Sequence, residues 1–144
     1  MKASVASGRA ILAIATLVAG VVGATALAVA SAAAGPVTVE IRIHYSHYEP
    51  SAVTVPAGRP VTFVIRNDDP IDHEWIVGDA ALHERHRTGT EPYHDSRPTE
   101  ISVDALTTKR TTITFATPTT LQYICHLPGH EAYGMVGTLV VVTG

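Results

Sequence analysis

From Val37 to the C-terminus, apolar and polar residues alternate in short runs, and each run is cut off by Pro, Gly, Asn or Asp. Side chains on a strand point alternately to its two faces, so this rhythm calls for half-buried β-strands and leaves no room for a bundle of sustained helices. The runs are Val37–His44, Ala52–Val55, Pro60–Arg66, Glu74–Val77, Thr99–Val103, Thr108–Phe115, Thr119–Ile124 and Gly137–Val142. Pro56-Ala57-Gly58 and Asn67-Asp68-Asp69-Pro70 read as turns. Seven or eight short strands punctuated in this way predict an all-β, Greek-key β-sandwich. At 144 residues the chain supports one core of ordinary size.

Between the last two runs lies Cys125-His126-Leu127-Pro128-Gly129-His130-Glu131-Ala132-Tyr133-Gly134-Met135. The only cysteine, a histidine and a methionine stand there at even intervals, so one short loop carries a thiolate, an imidazole and a thioether. That combination suits copper: sulfur donors favour Cu(I), imidazole serves both oxidation states, and a trigonal Cys-His-His set with a weak axial Met makes a blue-copper centre. The loop lacks one histidine, and the best candidate is His73, just ahead of Trp75-Ile76-Val77. Taken singly, Cys125 reads as a small buried hydrophobe, His130 as a turn residue and Met135 as a core filler. Their joint spacing argues for metal.

The chain resembles the cupredoxins, small blue (type 1) copper proteins, over roughly residues 37 to 142. The likeness rests on Tyr48-Glu49-Pro50, Val53-Thr54-Val55-Pro56-Ala57-Gly58, Val61-Thr62-Phe63-Val64-Ile65-Arg66-Asn67, His73, the Cys-His-Met loop and Gly137-Thr138-Leu139-Val140-Val141-Val142. It implies one type 1 copper ion held by His73, Cys125, His130 and Met135, with Met135 axial. It also implies an electron port at His130, where Leu127, Pro128, Ala132 and Tyr133 would meet a redox partner briefly and weakly. One position departs from the family pattern. The residue after the upstream histidine is often an Asn that braces the cysteine loop, and here it is Glu74.

Residues 1–35 differ from all that follows: Lys2 and Arg9 precede an uncharged run from Ala10 to Ala30 that ends in small residues. This reads as an export signal with A-x-A-like cleavage sites. The length of the run leaves open an uncleaved membrane anchor over residues 10–30. Residues 36–144 then form the copper-binding domain in an extracytoplasmic, periplasmic or secreted, setting. A single cysteine in an oxidising compartment has no intramolecular partner, and a metal would protect it. Without Lys2 and Arg9 the domain keeps eight basic against thirteen acidic residues, which argues against nucleic acid as a partner.

The interval from Gly78 to Pro98 breaks the strand rhythm. Asp79–Arg87 has the makings of a turn or two of helix, and a connection this long is usually functional or mobile. His83 and His86 stand three apart, where a helix would place them on one face, and His94 follows. They read either as an accessory metal site or as solvated surface histidines. His44 and His47 are expected on opposite faces of one strand, so joint ligation by them is disfavoured. Two functions compete: a non-enzymatic one-electron carrier, and an extracytoplasmic copper-binding protein of resistance or delivery with an accessory His-rich site. A copper enzyme is disfavoured, because the chain has no His-x-His pair and no second domain.

Overall fold

The computed structural model describes residues 35–89 and 93–144. The predicted leader, residues 1–35, lies outside the described residues except for Gly35. The strands are β1 (Val37–His44), β2 (His47–Glu49), β3 (Ala52–Pro56), β4 (Pro60–Asn67) and β5 (His73–Gly78), then β6 (Glu100–Val103), β7 (Thr108–Thr114), β8 (Thr119–Ile124) and β9 (Val136–Val142). A helix, α1 (Ala80–Thr88), lies between β5 and β6. The expected sandwich is present: one sheet has the order β2-β1-β4-β7 and the other β3-β9-β8-β5-β6.

The one strand the sequence did not announce is β2. It pairs back on β1 through Tyr45 and Ser46, both with positive φ (52° and 56°). That conformation normally advertises itself by Asn-Gly or Gly. Here the Asp69 carboxylate secures it, accepting from Tyr45 N (2.8 Å) and Ser46 N (2.7 Å). The hairpin also corrects the reading of His44 and His47, which are register partners on two antiparallel strands and therefore share a face.

Between the sheets lie Ile41, Ile43, Phe63, Ile65, Trp75, Val77, Val103, Tyr123 and Leu139, all essentially fully buried. Burial of each such side chain contributes roughly 1.5–3 kcal/mol. Strand β5 is buried on both faces because α1 packs on β5 and β8 from outside. This explains why Trp75-Ile76-Val77 in the middle of β5 is a continuous apolar run and not an alternating one. Asp79 caps the helix, its side chain accepting from Leu82 N. At Gly137 the register partner is Tyr123, and a Cβ there would stand 2.0 Å from the Tyr123 ring. Only glycine fits.

Candidate metal centre

His73 opens β5 on the same face as the core residues Trp75 and Val77. The turn before it is built by Asn67, whose Nδ2 donates to the carbonyls of Ile71, Val103 and Asp104 and whose Oδ1 accepts from Asp69 N. Asp69 thereby reaches His73: its Oδ2 lies 3.0 Å from His73 Nε2. With Nε2–H held by a carboxylate, the neutral ring presents its Nδ1 lone pair to the far side.

The loop from Cys125 to Met135 brings the other groups to that lone pair. Its neck continues the β8–β9 ladder, with Cys125 N donating to Met135 O at 3.3 Å. Inside, His130 N donates to Leu127 O and Met135 N to His130 O, each at 3.0 Å. Gly129 turns the chain at φ 85°, a conformation open to glycine at little cost. As a result His130 Nδ1 lies 3.2 Å from His73 Nδ1 and 3.3 Å from Cys125 Sγ. The three donor atoms all fall within 4.8 Å of one another. Bonds of about 2.0–2.3 Å from a central ion to N and S donors require a triangle only slightly wider than this. Cys125 and Met135 are fully buried in the core cluster, and His130 is half-buried. The donor set is a soft thiolate with two imidazole nitrogens beside a buried thioether, and it fits copper.

Glu74 takes over the bracing work expected of an Asn. Its backbone N donates to Cys125 Sγ at 3.4 Å, and its Oε2 accepts from His126 N at 3.1 Å, so both ends of the Cys125-His126 dipeptide are tied to β5. Burial pushes the Cys125 thiol up to about 11, against the opposing pull of the Glu74 and Leu127 N–H groups. A metal ion must therefore displace a proton there. Burial also lowers His73 below the ordinary histidine value, which keeps its ring neutral and available as a ligand. Burial alone would raise the Asp69 carboxyl, but the Ser46 and Tyr45 N–H groups and His73 outweigh it and hold Asp69 below its usual range.

Strand alternation places a second group of histidines on the opposite face of the same sheet. Cys125 and Trp75 face the core, whereas His126, Glu74 and Glu100 face outward beneath α1. There His86 Nε2 lies 3.5 Å and His94 Nδ1 3.8 Å from Glu100 Oε2. His83 and His94 are buried and His86 is half-buried, so these imidazoles are not a solvated fringe. His83 does not join His86 as a ligand pair. Its Nδ1 lies 3.0 Å from His126 Nε2 and its Nε2 3.2 Å from Gln122 O. Burial, followed by His83, pushes His126 down to about 4. Sequence reading missed the roles of Asp69, Glu100 and His126. For His126 a signal existed: the residue after an inward cysteine on a strand points outward.

A model of the cupredoxin-like domain matches residues 13–141. The copper-resistant cuproprotein CopI of Pseudomonas aeruginosa is 28% identical, over 78% of this chain and 80% of that protein. The protein of the same name from Rubrivivax gelatinosus is 30% identical over 65% of this chain and 59% of its own length. Among solved structures, auracyanin A, a blue copper protein of Chloroflexus aurantiacus, superposes with a TM-score of 0.60 at 28% identity, covering 75% of this chain and 100% of that one. With a two-sheet sandwich, a Cys-His-Met loop at one end and a domain match across most of its length, this chain belongs to the cupredoxin-like family.

Proposed function

We propose that this chain is an exported, non-enzymatic one-electron carrier that holds one type 1 copper ion through His73, Cys125 and His130, with Met135 as the weak axial ligand. The observation that carries this reading is the convergence of His73 Nδ1, His130 Nδ1 and Cys125 Sγ beside the buried Met135. Bound copper supplies a couple that gains and loses one electron. The protein limits how far the donors move during that change. Asp69 fixes the ring of His73, Glu74 ties Cys125 to β5, and the ladder between Cys125 and Met135 closes the loop.

His130 is the half-buried ligand, and Pro128, Ala132 and Tyr133 are exposed around it. A small patch of this kind suits a brief encounter with a redox partner protein. The mildly acidic balance argues against nucleic acid. Export by the leader gives an extracytoplasmic location, and an unprocessed leader would hold the domain at a membrane. Among the described residues no helix is long and apolar enough to cross one.

The visible spectrum of the copper-loaded protein tests the reading. An intense thiolate-to-copper band is expected, and Cys125→Ser should abolish it. A Cu(II)-loaded wild type without the band, or a Cys125→Ser protein that keeps it, overturns the assignment.

A second reading is favoured by the curated relatives, which are copper-resistant cuproproteins. In that reading the same site holds copper for resistance or delivery and does not cycle it. Copper sensitivity of cells lacking the chain, together with slow electron exchange by the loaded protein, would support handling over transfer.

A further inference from the structure

We propose that His86, His94 and Glu100 form a second metal site, for a borderline divalent ion such as Cu(II), on the outer face of the sheet that carries the first. The strongest observation is a mismatch of hydrogen-bonding roles. His86 Nδ1 lies 2.9 Å from Leu82 O, and a carbonyl can only accept, so the proton of the neutral ring sits on Nδ1 and the lone pair on Nε2. That lone pair faces Glu100 Oε2, itself an acceptor, at 3.5 Å. His94 Nδ1 stands 3.8 Å from the same oxygen. These separations exceed those of hydrogen bonds. They match the edges of a polyhedron around an ion with bonds of about 2.0–2.2 Å to imidazole and carboxylate. All three donor atoms lie within 4.8 Å of one another.

The donors have partners on their far sides, as metal ligands do. For two of them these are hydrogen bonds, Leu82 O holding His86 and Arg97 Nη1 bonding both oxygens of Glu100 at 3.0 and 3.1 Å, while the Glu74 carboxylate stands 3.5 Å from His94 Nε2, at ion-pair distance only. The His126 ring stacks on His86 at 5.5 Å. A cleft of about 530 Å³ lined by His86, His94, His126 and Glu74 gives an ion its way in. Two imidazoles and one carboxylate, with a position left for water, form a borderline donor set without thiolate, and Cu(II) binds such sets most tightly of the common divalent ions.

The site deepens the copper reading but stands on different residues, so the two can fail separately. Equilibrium dialysis of the full chain against excess Cu(II), followed by metal analysis and EPR, tests it. Wild type should hold two ions per chain. His86→Gln/Glu100→Gln should hold one and keep the thiolate-to-copper band. Cys125→Ser should also hold one, without the band, and give a tetragonal EPR signal with coupling to two nitrogens that vanishes when His86→Gln and Glu100→Gln are added. Far-UV circular dichroism checks that the variants are folded, and the single Glu100→Gln variant, expected to weaken the second ion at least tenfold, repeats the test with helix α1 untouched. Equal stoichiometry in wild type and the double variant, or a Cys125→Ser signal indifferent to His86 and Glu100, overturns the second site. Loss of the band in wild type alone overturns the first.

Discussion

Replacing Glu74 by Ala removes a carboxylate that sits buried on the outer face of the sheet beneath α1, at 4% exposure. Its Oε2 is the acceptor for His126 N, a group with little access to water, and stranding such a donor costs about 1–3 kcal/mol. Part of that loss is offset because a buried carboxylate is itself costly to desolvate, so the net destabilisation expected is about 1–2 kcal/mol. In a domain of this size that lowers the midpoint of thermal unfolding by roughly 4–12 °C. Glu74→Gln keeps an acceptor oxygen and should stay within about 1 kcal/mol of wild type. Glu84 is the control: its carboxylate pairs with Arg87 in solvent, and Glu84→Ala should change stability by less than about 1 kcal/mol. The copper-loaded proteins give a second readout. Glu74→Ala should shift the thiolate band, since His126, next to Cys125, loses its tie to β5 while the backbone N–H of residue 74 still reaches Cys125 Sγ, whereas Glu74→Gln should mainly raise the reduction potential by removing a negative charge that favours Cu(II). Thermal unfolding of the apoproteins and visible spectra of the loaded ones decide the matter. A Glu74→Ala protein with wild-type stability and an unshifted band would refute the bracing role.

Met135→Gln should retain copper and lower the potential, because a harder oxygen donor favours Cu(II); an unchanged or raised value in voltammetry would show that Met135 is not axial. Gly137→Ala should cost about 3 kcal/mol or more in urea unfolding, since its methyl group would overlap the ring of Tyr123, whose hydroxyl is bonded to Pro50 O. The apoprotein should lose stability as pH falls below about 6.5, because burial lowers His73, His83 and His126 in the folded state and protonation therefore favours the unfolded chain. His126 alone, at about 4, accounts for about 2 kcal/mol by pH 5, and a flat stability profile between pH 7 and 5 would contradict its burial.

Local chemistry carried much of this molecule in one dimension. The short runs located eight of the nine strands among the described residues, β1 and β8 to the residue, because the pattern along a strand reports directly which of its faces are buried. The Cys125, His130 and Met135 spacing pointed to a copper ligand set before any fold was known, and the structure brings His130 Nδ1 to 3.3 Å from Cys125 Sγ because these residues lie on one loop whose ends are neighbouring strands. Strand β2 escaped notice because its turn uses Tyr45 and Ser46, and the group that stabilises them, Asp69, comes from a distant turn. Tertiary structure alone decided the surroundings of the site. That Asp69 orients His73, that Glu74 replaces an amide as the brace, and that His126 belongs to a different face from Cys125 all depend on which strands lie side by side. The His86, His94 and Glu100 cluster was half legible. The histidines were visible in an overlong connection, but their carboxylate partner on β6 and the helix register that leaves His83 with His126 follow only from packing α1 on β5 and β8. Alternation along a strand is written residue by residue in the sequence, whereas contact between residues far apart in the chain exists only once the core has brought their strands together.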